Sequence, residues 1–409
     1  LDAGIVIVGA GETGARAAAA LRENGFDGAV TLIGDEEHPP YERPPLSKAV
    51  MQADDHPPVP QIAHTLRFDE LEIAHDIGRR VTAISRGDKL LKLADGSTIP
   101  YGRLLIATGA RPRKLAIPGG DALLYLRTFA DALALREHLV PGRRLAIIGG
   151  GFIGLEIAAS ARQRGCAVTV IEMAPRILMR GVPAEIAEIV AARHRAEGVT
   201  ILAGIGIERL EKRDGGVAVI LADGREVLAD GVVAGVGAVP ETALAEAAGL
   251  ALDNGVAVDA HLRTDDEDIF AAGDCCSFPH PLYGGRRIRL EAWRSAQDQG
   301  AHAAKAMMGA NEEYAALPWF WSDQYDLHLQ IAGLVDEGRR MVMRDQGEGA
   351  RIWFHLDDAG RLVAASGVGP IGRVARDMRL AEMLIAKCAR PDPAALAAPE
   401  TKLKALLAA

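Results

Sequence analysis

Two glycine-rich runs stand where a backbone could meet a phosphate. Gly9-Ala10-Gly11-Glu12-Thr13-Gly14 follows an apolar run at 5–8, and Gly149-Gly150-Gly151-Phe152-Ile153-Gly154 follows another at 145–148. Each precedes a stretch of helical composition. Lacking side chains, such a turn lets backbone N–H groups and a helix N-terminus approach a pyrophosphate. An acid at the end of the next strand then accepts hydrogen bonds from a ribose. Asp35, after 30–33, and Glu172, after 168–171, hold that place. The interval from Gly9 to Asp35 is longer than the usual ~20 residues, so Asp35 fits less closely than Glu172. One such run alone also serves ordinary turns and helix caps. Two of them, each with strand, helix and acid in order, predict two dinucleotide sites.

Two dinucleotides in one chain suggest cofactors that exchange electrons, and FAD with a nicotinamide is the natural pair. Glu172 would repel a 2′-phosphate, which favours NADH over NADPH. Arg176 and Arg180 weigh the other way, unless they are solvated surface. Asp274 follows Gly273 at the end of a strand expected at 268–274, where an acid can hold a flavin's ribityl hydroxyls or simply cap a helix. The four cysteines, Cys166, Cys275, Cys276 and Cys388, form no C-x-x-C pair and no zinc or iron–sulfur spacing, and the eleven histidines do not cluster. No metal site is expected, and the cysteines read as structural thiols. Electrons arriving on a flavin must then leave for an external acceptor.

The elements needed to position these groups are legible as apolar runs. Further strands are expected at 104–107, ahead of Thr108-Gly109, and at 232–236, ahead of Gly237. After Pro318 the pattern changes to strands at 351–356 and 362–366, joined by a turn, and a helix at 376–387. This predicts a separate α+β domain behind two Rossmann-type α/β units. With 409 residues, more than one core is expected. A net charge of −9 argues against nucleic acid or an anionic membrane as partner, and the longest apolar stretch, 145–161, is too short and too polar to cross a bilayer. The opening strand leaves no room for a signal peptide. A soluble, cytoplasmic protein is expected.

The run Tyr41-Glu42-Arg43-Pro44-Pro45-Leu46-Ser47-Lys48 is distinctive. Together with 105–110, 150–156, Ala272-Gly273-Asp274 and Pro318-Trp319-Phe320-Trp321-Ser322-Asp323-Gln324, it resembles the oxygenase-coupled ferredoxin reductases. These are the reductase components of aromatic-ring dioxygenases, biphenyl dioxygenase among them, and of some cytochrome P450 systems. Putidaredoxin and rubredoxin reductases and the apoptosis-inducing-factor group are relatives. The resemblance covers essentially the whole chain.

The resemblance implies a glutathione-reductase-like fold. A discontinuous FAD domain spans 1–111 and 240–317, an NAD domain 112–239 and a C-terminal α+β domain 318–409. It implies that Thr13, Asp35, Arg43, Lys48, Val81, Arg127, Asp274 and Trp293 line FAD, with Gly9, Gly11, Gly14, Thr108 and Gly109 shaping the site. It places Ile153, Glu156, Glu172, Arg180 and Gly237 at NADH, on the turn made by Gly149, Gly151 and Gly154, and Trp321 beside the isoalloxazine. Lys48 and Glu156 are expected to form an ion pair that tunes the flavin; otherwise they are an ordinary surface pair worth ~0–1 kcal/mol. The implied reaction moves electrons from NADH through FAD to a [2Fe–2S] ferredoxin that feeds an oxygenase. A rubredoxin reductase or NADH diaphorase, or an NADH-responsive binding protein, are the competing readings. The ferredoxin is expected to dock over Trp321, steered by Arg286, Arg287, Arg289 and Arg294.

Overall fold

The computed structural model describes residues 4–62 and 66–407. The chain divides into two compact units: Leu1–Glu42, Val59–Arg111 and Ala238–Ala316 form the first, and Arg43–Pro58, Pro112–Gly237 and Leu317–Ala409 the second.

In the first unit, Ile5–Val8 is the middle strand of a five-stranded parallel sheet. The order is Ile269–Ala271, Arg103–Ile106, Ile5–Val8, Val30–Ile33, Ala74–Asp76. The central strand, Ile5–Val8, is an uninterrupted apolar run and its neighbours are largely apolar, because both faces of a parallel sheet are covered. The helix Glu12–Glu23 buries Ala17 through Leu21. Small side chains there allow close packing, and a Cβ on Gly300 of the helix Trp293–Met307 would lie 2.5 Å from the Thr13 carbonyl oxygen. A three-stranded antiparallel sheet, Val81–Ser85, Leu90–Leu93 and Thr98–Pro100, is added at the side.

The second unit repeats the parallel theme. Its sheet runs Thr200–Ala203, Ala167–Glu172, Arg144–Ile148, Gly231–Ala234, Leu123–Leu124. It also holds a five-stranded antiparallel sheet in the order Trp319–Gln324, Leu327–Gly333, Leu362–Pro370, Arg351–Leu356, Arg340–Asp345, backed by the helix Ala375–Ala386. One apolar cluster, including Leu155, Ile186, Val190, Leu329, Ile331, Trp353 and Val368, joins the parallel and antiparallel parts. The segment 43–58 is tied into this unit by Arg136 and Arg164, whose guanidiniums donate to the Ala53 carbonyl at 2.6 and 3.1 Å. Among the described residues, no helix is long and apolar enough to cross a membrane.

Candidate functional site

Both glycine turns take the shape that their composition predicts. Gly9 has φ +114° and a Cβ there would fall 2.1 Å from the Ala107 carbonyl oxygen. Gly149 has φ +104° and its Cβ would fall 2.4 Å from the Gly235 oxygen. Only glycine fits either position. Gly11 and Gly151 are the N-caps of the helices Glu12–Glu23 and Phe152–Gln163, and neither helix has a side-chain cap. A Cβ on Gly11 would meet nothing within 4 Å, and one on Gly151 would meet its nearest atom at 3.9 Å. Neither helix start is capped by a side chain, and open space adjoins each glycine, which fits a pyrophosphate at each turn. The residues present suit FAD at one and NADH at the other.

Around the first turn, Thr13 and Gly273 are in close approach, since a Cβ on Gly273 would lie 2.3 Å from Thr13 Oγ1. Asp274 is thereby brought beside the helix start. Gln299 holds this arrangement. It is fully buried on the helix Trp293–Met307, and its Oε1 accepts from the Gly273 N–H at 2.7 Å. The sequence carried no signal for it. Thr108 donates to the Glu241 carbonyl at 2.6 Å, beside Gly109 at φ +73°. Val81 opens the first strand of the antiparallel sheet, Trp293 starts its helix, and Asp35 is exposed two residues beyond Val30–Ile33.

Around the second turn, Glu172 ends its strand and accepts from the Gly150 N–H and the Ala174 N–H, both at 2.7 Å. Arg176 is committed to the backbone, donating to the carbonyls of Ile177, Leu178 and Val182. Arg180 is exposed, and a Cβ on Gly237 would lie 3.4 Å from its Nη2. Ile153 presents 47% of its surface to solvent on the first helical turn.

Lys48 and Glu156 do pair, with Nζ 2.8 Å from Oε2. Glu156 is only 5% exposed and Lys48 25%. The carboxylate takes two further donors, Ser47 Oγ on Oε2 at 2.5 Å and Ser322 Oγ on Oε1 at 2.6 Å. A buried carboxylate with one cation and two hydroxyls is compensated, which separates this pair from the surface alternative. Arg43 donates to the Arg127 carbonyl at 2.6 Å, anchoring the loop that carries Ser47 and Lys48. The sequence drew attention to the motifs containing Ser47 and Ser322 without assigning either a role.

The strand Trp319–Gln324 opens with three consecutive aromatic residues. Alternation puts Phe320, Ser322 and Gln324 on one face and Trp319, Trp321 and Asp323 on the other. Phe320 packs edge-on against Phe152, centroids 4.8 Å apart, whereas Trp319 and Trp321 stack at 5.5 Å. The three aromatics therefore do not act as one surface. Trp321 Nε1 donates to Asp323 Oδ2 at 3.1 Å, and the other oxygen of Asp323 pairs with His328. Burial alone would raise Asp323. His328, with Lys48 and the Trp321 indole, outweighs it and holds the carboxyl below its ordinary range.

The basic run in the first unit is partly spent on local ties. Arg287 donates to the carbonyls of Val258 and Ser277 and faces Asp253 at 3.5 Å; Arg289 donates to the Asp274 carbonyl and pairs with Glu291 at 2.7 Å. Cys166, Cys275 and Cys276 are buried and unpaired, and Cys388 is exposed and unpaired. Burial pushes the thiols of Cys275 and Cys276 up, so neither supplies a ready thiolate. Among the described residues, no three His, Cys, Asp or Glu side chains are grouped to hold a metal.

Comparison with known proteins adds the following. A family model described as pyridine nucleotide-disulphide oxidoreductase matches residues 3–300, and one described as reductase C-terminal matches 319–407. The ferredoxin–NAD(+) reductase component of the anthranilate 1,2-dioxygenase system of Burkholderia cepacia is 44% identical over 98% of both chains. A crystal structure of a ferredoxin reductase from Rhodopseudomonas palustris superposes with a TM-score of 0.93 at 36% identity, over 98% of this chain and 99% of that one. The reductase in a covalent putidaredoxin reductase–putidaredoxin complex gives 0.93 at 34% identity, over 100% and 98%.

Proposed function

We propose a function from one premise: this chain belongs to the pyridine nucleotide-disulphide oxidoreductase family, as a ferredoxin–NAD(+) reductase. It is an FAD-dependent oxidoreductase that takes electrons from NADH and delivers them to a ferredoxin. The acceptor is a [2Fe–2S] ferredoxin that feeds an aromatic-ring dioxygenase or a similar oxygenase, and the enzyme works in the cytoplasm. The observation that carries this reading is the pairing of two uncapped glycine turns with a chain whose cysteines are all unpaired. The family name refers to a disulphide, but Cys275 and Cys276 are buried separately. Cys275 Sγ approaches the Ile106 and Ala272 carbonyls, and Cys276 Sγ approaches Gln299.

When bound, FAD supplies the exchange between two-electron hydride chemistry and one-electron transfer. The chain's own residues bind and orient. Gly9, Gly11, Thr13 and Gly14 receive the FAD pyrophosphate, Asp35 the adenosine ribose and Asp274 the ribityl chain. Val81, Thr108, Gly109 and Trp293 complete that lining, with Arg43, Lys48 and Arg127 assigned to FAD as well. Gly149, Gly151 and Gly154 receive the NADH pyrophosphate, Glu172 its ribose, and Ile153, Arg180 and Gly237 flank it. Lys48, fixed by Glu156, places a cation at the reacting end, and Trp321 offers a flat wall there. The proposed functional division is an FAD domain of 1–111 with 240–317, an NAD domain of 112–239 and a C-terminal domain of 318–409; residues 1–3, 63–65 and 408–409 lie outside the described residues.

The test is acceptor dependence. With NADH, the purified protein should reduce ferricyanide directly but cytochrome c only after a [2Fe–2S] ferredoxin is added. Equal cytochrome c reduction without ferredoxin, or with rubredoxin in its place, would sink the reading.

A further inference from the structure

Glu156 is the start of a longer path. Ser322 Oγ donates to Glu156 Oε1 at 2.6 Å, Gln324 Nε2 donates to Ser322 Oγ at 3.0 Å, and His194 Nε2 lies 2.8 Å from Gln324 Oε1. Tyr325 Oη lies 3.5 Å from the other imidazole nitrogen. Ser322, Gln324 and His194 are 1%, 3% and 0% exposed. Gln324 can donate to Ser322 only if its oxygen faces His194, so His194 must carry its proton on Nε2. Every donor in the path then points toward the carboxylate, an arrangement in which each bond polarises the next.

The path is held at its far end. Tyr325 sits in the two-residue turn between Trp319–Gln324 and Leu327–Gly333 with φ +57°, a left-handed conformation that a bulky residue rarely adopts. Its ring lies edge-on to His194 at 5.0 Å and under the Arg193 guanidinium at 4.8 Å. Burial, the largest cause, holds the His194 imidazole below its ordinary range, against the opposing effect of the hydrogen bond it donates to Gln324.

We propose that Gln324 and His194 are positioning residues for the Lys48–Glu156 pair, acting through Ser322. With Oε1 saturated by Ser322, the carboxylate cannot rotate, and Oε2 stays turned to Lys48. Without the path, Ser322 is free to turn its hydroxyl away, the carboxylate gains a second rotamer, and the partly exposed Lys48 ammonium leaves for water. This rests on the reading that Lys48 and Glu156 serve the reaction.

Two readouts test it on the FAD-loaded protein: the rate constant of anaerobic reduction by saturating NADH, and the acetylation rate of Lys48 followed by peptide mass spectrometry. Gln324→Met removes both hydrogen bonds at nearly constant volume, and His194→Phe provides a second break. Each should slow reduction about three- to tenfold and raise Lys48 acetylation by a similar factor, with the flavin retained. In a Glu156→Gln background, adding Gln324→Met should change neither readout further. Equal effects of Gln324→Met in both backgrounds would show independent structural damage and overturn the proposal alone. Unchanged Lys48 acetylation in both single variants would also overturn it. If Glu156→Gln itself leaves the reduction rate untouched, the underlying reading fails, and this proposal with it.

Discussion

Glu172 lies at the junction of binding and local structure. Its two oxygens accept the Gly150 and Ala174 N–H groups, so the side chain that would meet the ribose also shapes the turn beneath the pyrophosphate. Arg176, the nearest arginine in sequence, is bound to three carbonyls and has no reason to leave them for a phosphate. NADH should therefore exceed NADPH in kcat/KM by at least about tenfold, or ~1.4 kcal/mol. Glu172→Ala should narrow that gap and weaken both cofactors. Equal efficiencies in the unaltered enzyme would mean that Arg180 overrides the acid. Residue identity at this scale was largely readable from the sequence, because glycine, acid and lysine have few reasons to recur at such spacings. Gln299 and His194 were not readable. The decisive partners of their side chains, Gly273 and Cys276 for Gln299 and Gln324 for His194, are far away in sequence, and nothing nearby marks either residue.

The turn at Gly149 separates folding from binding at the level of the element. Gly149→Ala forces a side chain to φ +104° and into the Gly235 carbonyl, so a loss of stability of ~2 kcal/mol or more is expected, together with loss of NADH binding. Gly151→Ala has an ordinary φ of −81° and open space, so thermal unfolding should be unchanged while NADH affinity falls, because the new methyl fills the cradle. Equal melting temperatures for the two variants, or unaltered affinity in Gly151→Ala, would refute this account. The strands and helices bounding both turns were legible as apolar runs. The hairpin of Trp319–Gln324 and Leu327–Gly333 was not. Its turn, Tyr325-Asp326, contains none of the glycine or asparagine that signals a tight hairpin, and three consecutive aromatics obscure a period of two.

Acid should weaken the whole molecule through its buried histidines. Burial lowers His355 to about 4 from an ordinary 6.5, and His194, His280 and His302 shift the same way. The unfolded chain then binds protons that the folded one refuses. Stability is complete above pH 6.5 and declines as pH falls toward 4, with His355 alone accounting for a few kcal/mol, ~1.4 per unit. Melting curves between pH 7 and 4.5 should show the decline, and His355→Gln should flatten it; an unchanged slope would place the acid sensitivity elsewhere. On the surface, Arg286→Glu should slow ferredoxin-dependent turnover and reduce its salt dependence without affecting ferricyanide reduction. Arg287→Glu, which breaks ties to Val258 and Ser277, should lower the melting temperature. Unchanged ferredoxin-dependent turnover in Arg286→Glu would remove Arg286 from the docking face.

The two compact units alternate along the chain, and this sets the order in which the ribosome can finish them. The strand Arg103–Ile106 awaits its neighbour Ile269–Ala271, which is translated about 160 residues later, on the order of ten seconds or more at usual elongation speeds. During that interval Pro112–Gly237 emerges entire, carrying its own parallel sheet, while the earlier sheet still has an open edge. The nascent first unit is therefore the vulnerable one. A chaperone that shields the edge of Arg103–Ile106 during synthesis should raise the yield of folded protein, and truncation before residue 269 should leave an aggregation-prone fragment whichever cofactor is supplied.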